Sequence, residues 1–420
     1  MLDRTDLFPE PRIVVPAQPP ERWSYSSFRS AETCPRRWSL ERSRFEFGRG
    51  FDVQRYPKSV YYGTLRGTVV HESIDYLANN LRRRGIGSVH DPKARRVLQE
   101  LGGLHRVVEV VAERELRELE ENPRATPHRR SYSARLQRDL REVAAEVKRA
   151  LLRTAISARA ATSTLTKTYG EGTSTSEALH DGEWSEVELR PSGFAWRGIA
   201  DHIAVEGDSV TISDYKTGEP DPSHRNQVEL YALLWREDNA KNPRLTCAER
   251  LRVCYTGSGR MEEFPGPTQD RLDELKTELV DKAAAVRESI SSSPAEARPS
   301  ADACRFCGMR QLCPEYWGSG IRRSDDPTWG ADLRVELLER VSSGLWEVSV
   351  TKAAHILPGT PMRMRVPEDY SHLLTPGMEI VALDYSIAGI IEDGDGVRLE
   401  DDGFLSPTAN SELFAPPQVV

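Results

Sequence analysis

The sequence predicts an α/β fold followed by a small β-rich domain, and three observations carry that prediction. Two short runs, Gly198–Val205 and Ser209–Tyr215, alternate apolar and polar residues as half-buried strands do, and the Gly207-Asp208 pair between them signals a hairpin. Apolar residues at helical spacing occur before and after that hairpin, in residues 63–84 and 224–237. From about residue 325 only short alternating runs remain (WEVSVTKAAHI, MRMRV, MEIVALDYSIAGII, VRLED), separated by Gly, Pro and Asp turns, as in a small barrel or sandwich.

A chain of 420 residues holds two or three domains. Negative mean hydropathy and the lack of a long apolar run exclude a membrane helix. The opening MLDRTDLFPEPR has no export signal, which places the protein in the cytoplasm. In that reducing compartment six cysteines point to metal or free thiols rather than to a disulfide scaffold. The 57 basic and 65 acidic residues leave a net charge of −8, unevenly distributed along the chain. No repeat period and no G-x-x-x-x-G-K-[ST] phosphate loop occur, so no NTP-driven motor is encoded here.

Residues 1–22 are Pro-rich and read as an extended arm. Ser24 or Ser26 caps a first helix with Phe28, Trp38 and Leu40 on its apolar side; Pro35 interrupts it, and Cys34 lies at that break. In residues 63–84, Val69, Val70, Ile74, Leu77 and Leu81 face inward, and His71 belongs to the first half of that helix. Further helices are expected near 93–120 and 131–159, the latter carrying Arg135, Arg138, Arg141, Lys148, Arg149 and Arg153 as a solvated face or a phosphate-facing stripe. Residues 160–182 read as irregular strand or loop, Trp184–Arg190 as a strand, 251–257 as a strand and 268–290 as a polar helix. After the cysteine cluster, 318–330 is a linker and 331–420 an acidic β-rich domain with clusters such as EDGDG. Such a domain would dock a partner or cover the protein's own basic channel, because acidic surface is repelled by DNA.

Three constellations can do chemistry. Asp201 sits in the first hairpin strand, and Asp214 and Lys216 project together from the end of the second, since residues two apart share a strand face. Two carboxylates on neighbouring strands can grip Mg²⁺ or Mn²⁺, and the lysine can activate water or neutralise charge on a phosphate. His71 and Glu188 are candidates to complete that shell. Gln227 and Tyr231, four apart on one helix face, can orient the lysine or touch a nucleic acid strand, and His224 and Arg225 can hold a phosphate at the helix start. Lastly, CRFCGMRQLCP places Cys304, Cys307 and Cys313 at C-x2-C-x5-C spacing. Spacing alone favours Zn²⁺, with Cys34 the obvious fourth thiolate, although Cys34 and Cys313 each precede proline as iron–sulfur ligands often do. Cys247 and Cys254 read as buried thiols.

In order, SYSS…CPRRW, Gly67-x3-His71, Gly198-x2-Asp201, DYKTG with Asp214 and Lys216, Gln227-x3-Tyr231 and the triple-cysteine run resemble the RecB/AddB-type PD-(D/E)XK nucleases with an iron–sulfur cluster, including the CRISPR-adaptation exonucleases. The resemblance covers residues 23–317 and implies a restriction-endonuclease-like mixed sheet flanked by helices, its ends stapled by the cluster. It implies that His71, Asp201, Asp214 and the Tyr215 carbonyl bind the metal, that Lys216 serves catalysis, and that Gln227 and Tyr231 support DNA binding. Cys34, Cys304, Cys307 and Cys313 would hold a structural [4Fe–4S] cluster. Where the family often has Glu, this chain has Asp214, and the acidic tail has no counterpart in it. The expectation is a metal-dependent DNA nuclease acting on single strands or ends, in repair or antiviral defence. The alternative is a nucleic-acid-binding scaffold subunit with a vestigial site.

Overall fold

The computed structural model describes residues 12–46, 58–122, 124–125, 128–153, 178–216, 218–321, 330–354, 356–371, 374–393 and 396–414. Within the stretch expected to be an extended arm, strand β1 (Arg12–Val15) forms and pairs antiparallel with β2 (Arg44–Glu46). Between them Ser24 caps α1 (Tyr25–Thr33), its hydroxyl accepting from the Ser27 amide at 3.3 Å. As expected, Pro35 starts a second helix, α2 (Pro35–Arg42), with Cys34 at the joint.

Helix α3 (Tyr62–Arg83) buries Val69, Val70, Ile74, Leu77 and Leu81, as its spacing predicts. The single helix expected near 93–120 is instead two, α4 (Pro92–Glu100) and α5 (Leu104–Glu118). Gly102 and Gly103 between them adopt φ of +81° and +89°, a left-handed conformation that ends a right-handed helix. Helix α6 (Arg129–Arg153) follows. The expected remainder of that helix and most of the 160–182 segment lie outside the described residues. Helices α3, α5 and α6 share one core, in which Leu136, Val143 and Val147 of α6 meet Val69, Leu77, Val108 and Val111.

The central sheet runs β3 (Gly182–Leu189), β4 (Gly198–Glu206), β5 (Ser209–Lys216), β6 (Arg250–Tyr255), β7 (Met261–Pro265) in that spatial order. All neighbours are antiparallel except β5 and β6, which are joined in parallel by the crossover helix α7 (Pro222–Glu237). The sheet is therefore mixed, as the sequence implied. Strand β7 was not foreseen: it is short, lies at the edge, and has every side chain at least partly exposed, so it carries little alternation signal. Helices α7 and α8 (Gln269–Ser291) cover one side of the sheet with α1 and α2, around Trp23, Trp38, Trp196 and Trp235. On the helical side, Arg149 donates to the carbonyls of Thr256 (3.3 Å) and Gly257 (2.8 Å), tying α6 to the strand ends.

Short helices α9 (Ala301–Arg305) and α10 (Pro314–Ser319) frame the cysteine run. Beyond them β8 (Ala331–Ser342), β9 (Leu345–Ala353), β10 (Pro361–Arg365), β11 (Glu379–Asp393) and β12 (Gly396–Phe414) close into a barrel rather than a sandwich. A short helix, α11 (Glu368–Ser371), follows β10. The order around the wall, with β10 and β12 parallel, is that of a five-stranded Greek-key OB barrel, a topology that does not by itself assign a function. Alternate residues such as Leu333, Val335 and Leu337, or Trp346, Val348 and Val350, fill its interior.

The barrel is bonded to the cysteine run. Arg310, fully buried, donates to Asp332 Oδ2 (2.6 Å), to the Cys307 carbonyl (2.8 Å) and to Asp384, while Tyr316 donates to the same Asp332 oxygen at 2.6 Å. Arg124 makes a buried two-point contact with Glu412 at 2.7 and 2.8 Å. Around these ions Leu40, Phe45, Met309 and Trp317 pack on Val381, Leu383 and Phe414. Among the described residues no helix is long and apolar enough to cross a membrane.

Candidate active site

The β4–β5 hairpin turns at Gly207, whose φ of +63° suits glycine, and so sets Asp201 beside the end of β5. Asp201 Oδ2 accepts from the Tyr215 amide at 2.6 Å. Asp214, 2% exposed, lies 2.7 Å from the Lys216 ammonium, so the two do share a strand face. Tyr215, between them, points its side chain into the opposite, open face of the sheet.

Helix α7 completes the arrangement. Asp221 caps it, accepting from the Ser223 amide at 2.7 Å, and Pro222 takes its first position. From its second turn Gln227 Oε1 accepts from Lys216 Nζ at 2.9 Å, and Gln227 Nε2 donates to the Tyr231 hydroxyl at 2.6 Å. The i,i+4 pair thus orients the lysine, one of its two expected roles. This close approach of α7 requires glycine at 198, where an added Cβ would stand 2.7 Å from the Tyr231 ring.

Two carboxyls crowded in this way resist ionisation. Burial first, then the Asp214 charge, pushes Asp201 well above the ordinary carboxylate range. Burial also raises Asp214, against the pull of Lys216. His71, with exposed surface on α3, lies within electrostatic reach of Asp214 and Lys216. Partial removal from water holds it below the usual imidazole value; Lys216 adds to that effect, and Asp75 and Asp214 oppose it.

Other expected site residues are placed differently. The acid of β3 whose charge bears on Asp201 is Glu186, not Glu188. Glu186 has φ of +53° at the position opposite Asp201, flanked by the Ser185–His202 and Val187–Ala200 pairs. The β3–β4 register that sets this pairing is not written in the strand's own alternation. Arg225 turns to Glu229 (2.9 Å) and to the Phe264 ring (5.0 Å), not to the acid pair. His224 is the residue of that helix start that faces Asp214 and Lys216, with Nδ1 3.3 Å from the Tyr255 hydroxyl.

The residues suit a hard divalent cation in one specific respect. Asp214 Oδ2 is buried with the Lys216 ammonium 2.7 Å away, one cation beside two neighbouring carboxyls. Such an oxygen, within electrostatic reach of the half-buried Asp201 carboxyl, suits Mg²⁺ or Mn²⁺. Among the described residues no set of three or more His, Cys, Asp or Glu side chains forms a metal-holding group, so neither His71 nor Glu188 is brought in as a third ligand.

The same holds for the thiols. Cys304, Cys307 and Cys313 share one buried cluster, which does not include Cys34, and the four do not form a metal-holding group. Burial pushes the Cys307 thiol up to about 11 and Cys313 up to about 12. What does staple the first helices to the end of the domain is Arg36. It pairs with Glu315 (2.8 Å) and bonds the carbonyls of Ala295 (2.6 Å, from Nε) and Glu296 (2.8 Å, from the amide). Of the remaining cysteines, Cys254 is buried as expected, whereas Cys247 is only half-buried.

Fold, hairpin and acid–lysine pair together are those of the PD-(D/E)XK superfamily. The family model of the PD-(D/E)XK nuclease superfamily matches residues 22–314, and the chain belongs to that superfamily. It is also similar to the "Gene 69 protein" of Mycobacterium phage D29, at 26% identity over 137 residues. That match covers 31% of this chain and 46% of the relative, so it spans less than half of the relative's length.

Proposed function

We propose that the protein is a metal-dependent deoxyribonuclease acting on single strands or free DNA ends, in repair or antiviral defence. The observation that carries this reading is the Lys216 ammonium held between Asp214 and Gln227, near the half-buried carboxyl of Asp201. Asp201, Asp214 and the Tyr215 carbonyl would hold the Mg²⁺ or Mn²⁺, with His71 and Glu186 near enough in charge to tune it. When bound, the cation supplies Lewis-acid stabilisation of the charge that develops on the phosphodiester. Lys216 orients and activates the attacking water or neutralises the phosphate, and Gln227 fixes the ammonium through an amide that Tyr231 in turn immobilises.

The C-x2-C-x5-C run, with Cys34 on the neighbouring helix, supports a further reading as ligands of a structural [4Fe–4S] cluster, Zn²⁺ being the alternative. In its favour, Arg37 has its amide on Cys34 Sγ (3.5 Å) and its charge bearing on Cys307. Anaerobically purified protein should be brown and contain iron. Colourless protein containing zinc would decide for the alternative.

The test of activity is digestion of end-labelled single- and double-stranded DNA with Mn²⁺ or Mg²⁺. Wild type should cleave, and Lys216→Ala should lose at least about a hundredfold in rate while keeping its fold. Full activity in that variant overturns the assignment.

A further inference from the structure

A cleft of about 870 Å³ opens where the first turns of α3, the cysteine run, α6 and the barrel meet, away from the acid pair. Its size falls in the range of roughly 300–1,000 Å³ usual for small-ligand sites, too small for a duplex. We propose that this cleft binds an unpaired segment of the DNA strand whose phosphate lies at the acid pair. The proposal rests on the nuclease reading and adds a subsite to it.

Three features of the lining point to that ligand. Phe306 is 57% exposed at the mouth, its ring standing edge-on to Tyr61 at 5.9 Å with the Arg305 guanidinium 5.4 Å from its centroid, an exposed aromatic ring with a cation beside it of the kind on which bases stack. Arg135 is exposed and lies 4.1 Å over the Tyr62 ring, so an aromatic face rather than an acid positions this cation. Lys58 adds a second exposed cation. The two acids of the lining are already engaged: Glu41 pairs with Arg37 at 2.9 Å, and Asp139 accepts from the Tyr62 hydroxyl. Cations and aromatic rings without uncommitted carboxylates are the composition of single-strand sites.

The cleft is also wired to the catalytic strand. Arg66 in its wall reaches Glu146 (2.9 Å), Glu146 accepts from the Thr256 hydroxyl (3.0 Å), and the Thr256 amide donates to the Lys216 carbonyl (2.8 Å). Helix α3 carries both Arg66 of the cleft wall and, just over one turn later, His71 within electrostatic reach of Asp214, so a strand lying along it would connect the acid pair to the cleft. The barrel offers one competing patch, the exposed Arg363 and Arg365 with Phe404 beside them.

The experiment is fluorescence anisotropy of labelled oligothymidylate on the full-length protein in EDTA, which separates binding from cleavage. Phe306→Ala should weaken binding about tenfold and Phe306→Trp should restore it, as for one stacked base. Arg135→Gln should weaken binding and flatten the slope of log K against log[salt] by about 0.7, as for one lost phosphate contact on a single strand. Both side chains are exposed, so melting curves should match wild type. Unchanged affinity in both variants overturns the subsite, as does a loss confined to Arg363→Ala/Arg365→Ala. A wild type that binds through the cleft yet never cleaves with Mn²⁺ sinks the nuclease reading and leaves the subsite standing.

Discussion

At the scale of single residues, the site depends on a glycine and on a buried carboxylate oxygen. Gly198 lets the Tyr231 ring lie against β4, with no room for a methyl group at 2.7 Å. Gly198→Ala should cost about 1–3 kcal/mol by overpacking, read by urea unfolding. It should also slow cleavage, since Tyr231 and Gln227 must move together and Gln227 holds Lys216. The buried Asp214 oxygen gives a prediction independent of turnover. Mn²⁺ at a hundredfold excess over its Kd should stabilise wild type by about 2.7 kcal/mol. Asp214→Asn should lose most of that gain in a thermal melt; an equal gain in the variant would show that the cation binds elsewhere.

At the scale of elements, the site was legible wherever its residues follow the regular period of a strand or helix. Asp214 and Lys216 meet because strand residues two apart share a face, and Gln227 and Tyr231 meet because helix residues four apart do. Departures from regularity stayed hidden. Glu186 rather than Glu188 stands opposite Asp201 because of the β3–β4 register, which the sequence alone does not give, and the Gly102–Gly103 pair splits what reads as one helix, although two adjacent glycines were the available signal. Of His224 and Arg225, both expected to hold a phosphate, His224 turns toward Asp214 and Lys216 and Arg225 toward Glu229, because sequence spacing does not say which of two neighbours a helix start turns inward. The barrel was visible only as alternation, which a sandwich shares; its closure depends on the pairing of β10 with β12, a contact remote in sequence. Helix α7 carries its own prediction. Asp221→Ala removes the cap hydrogen bond and should cost about 1 kcal/mol in chemical denaturation, with an added loss of activity from fraying toward His224.

At the scale of the whole molecule, the acidic tail is neither loose nor held by opposite charge at its surface. Its attachment is buried: Arg310 between Asp332 and Asp384, and Arg124 on Glu412. Asp332→Ala should destabilise the protein by about 3 kcal/mol, the low end for breaking a buried pair, because Asp384 still partly neutralises Arg310. Equilibrium unfolding measures it, and a loss below about 1 kcal/mol would show that the guanidinium finds water. Cutting the chain near residue 325 would strand both arginines, so charge-altering substitutions on the barrel probe its relation to DNA more cleanly than truncation.

The same buried arginines limit how this protein can be recombined. Grafting the nuclease portion onto a foreign barrel would succeed only if Asp332, Asp384 and Glu412 travelled as a set, since the recipient surface must present three carboxylates in register with two fixed guanidinium groups. The interface between the two halves behaves less like a hinge between interchangeable modules than like a keyed joint.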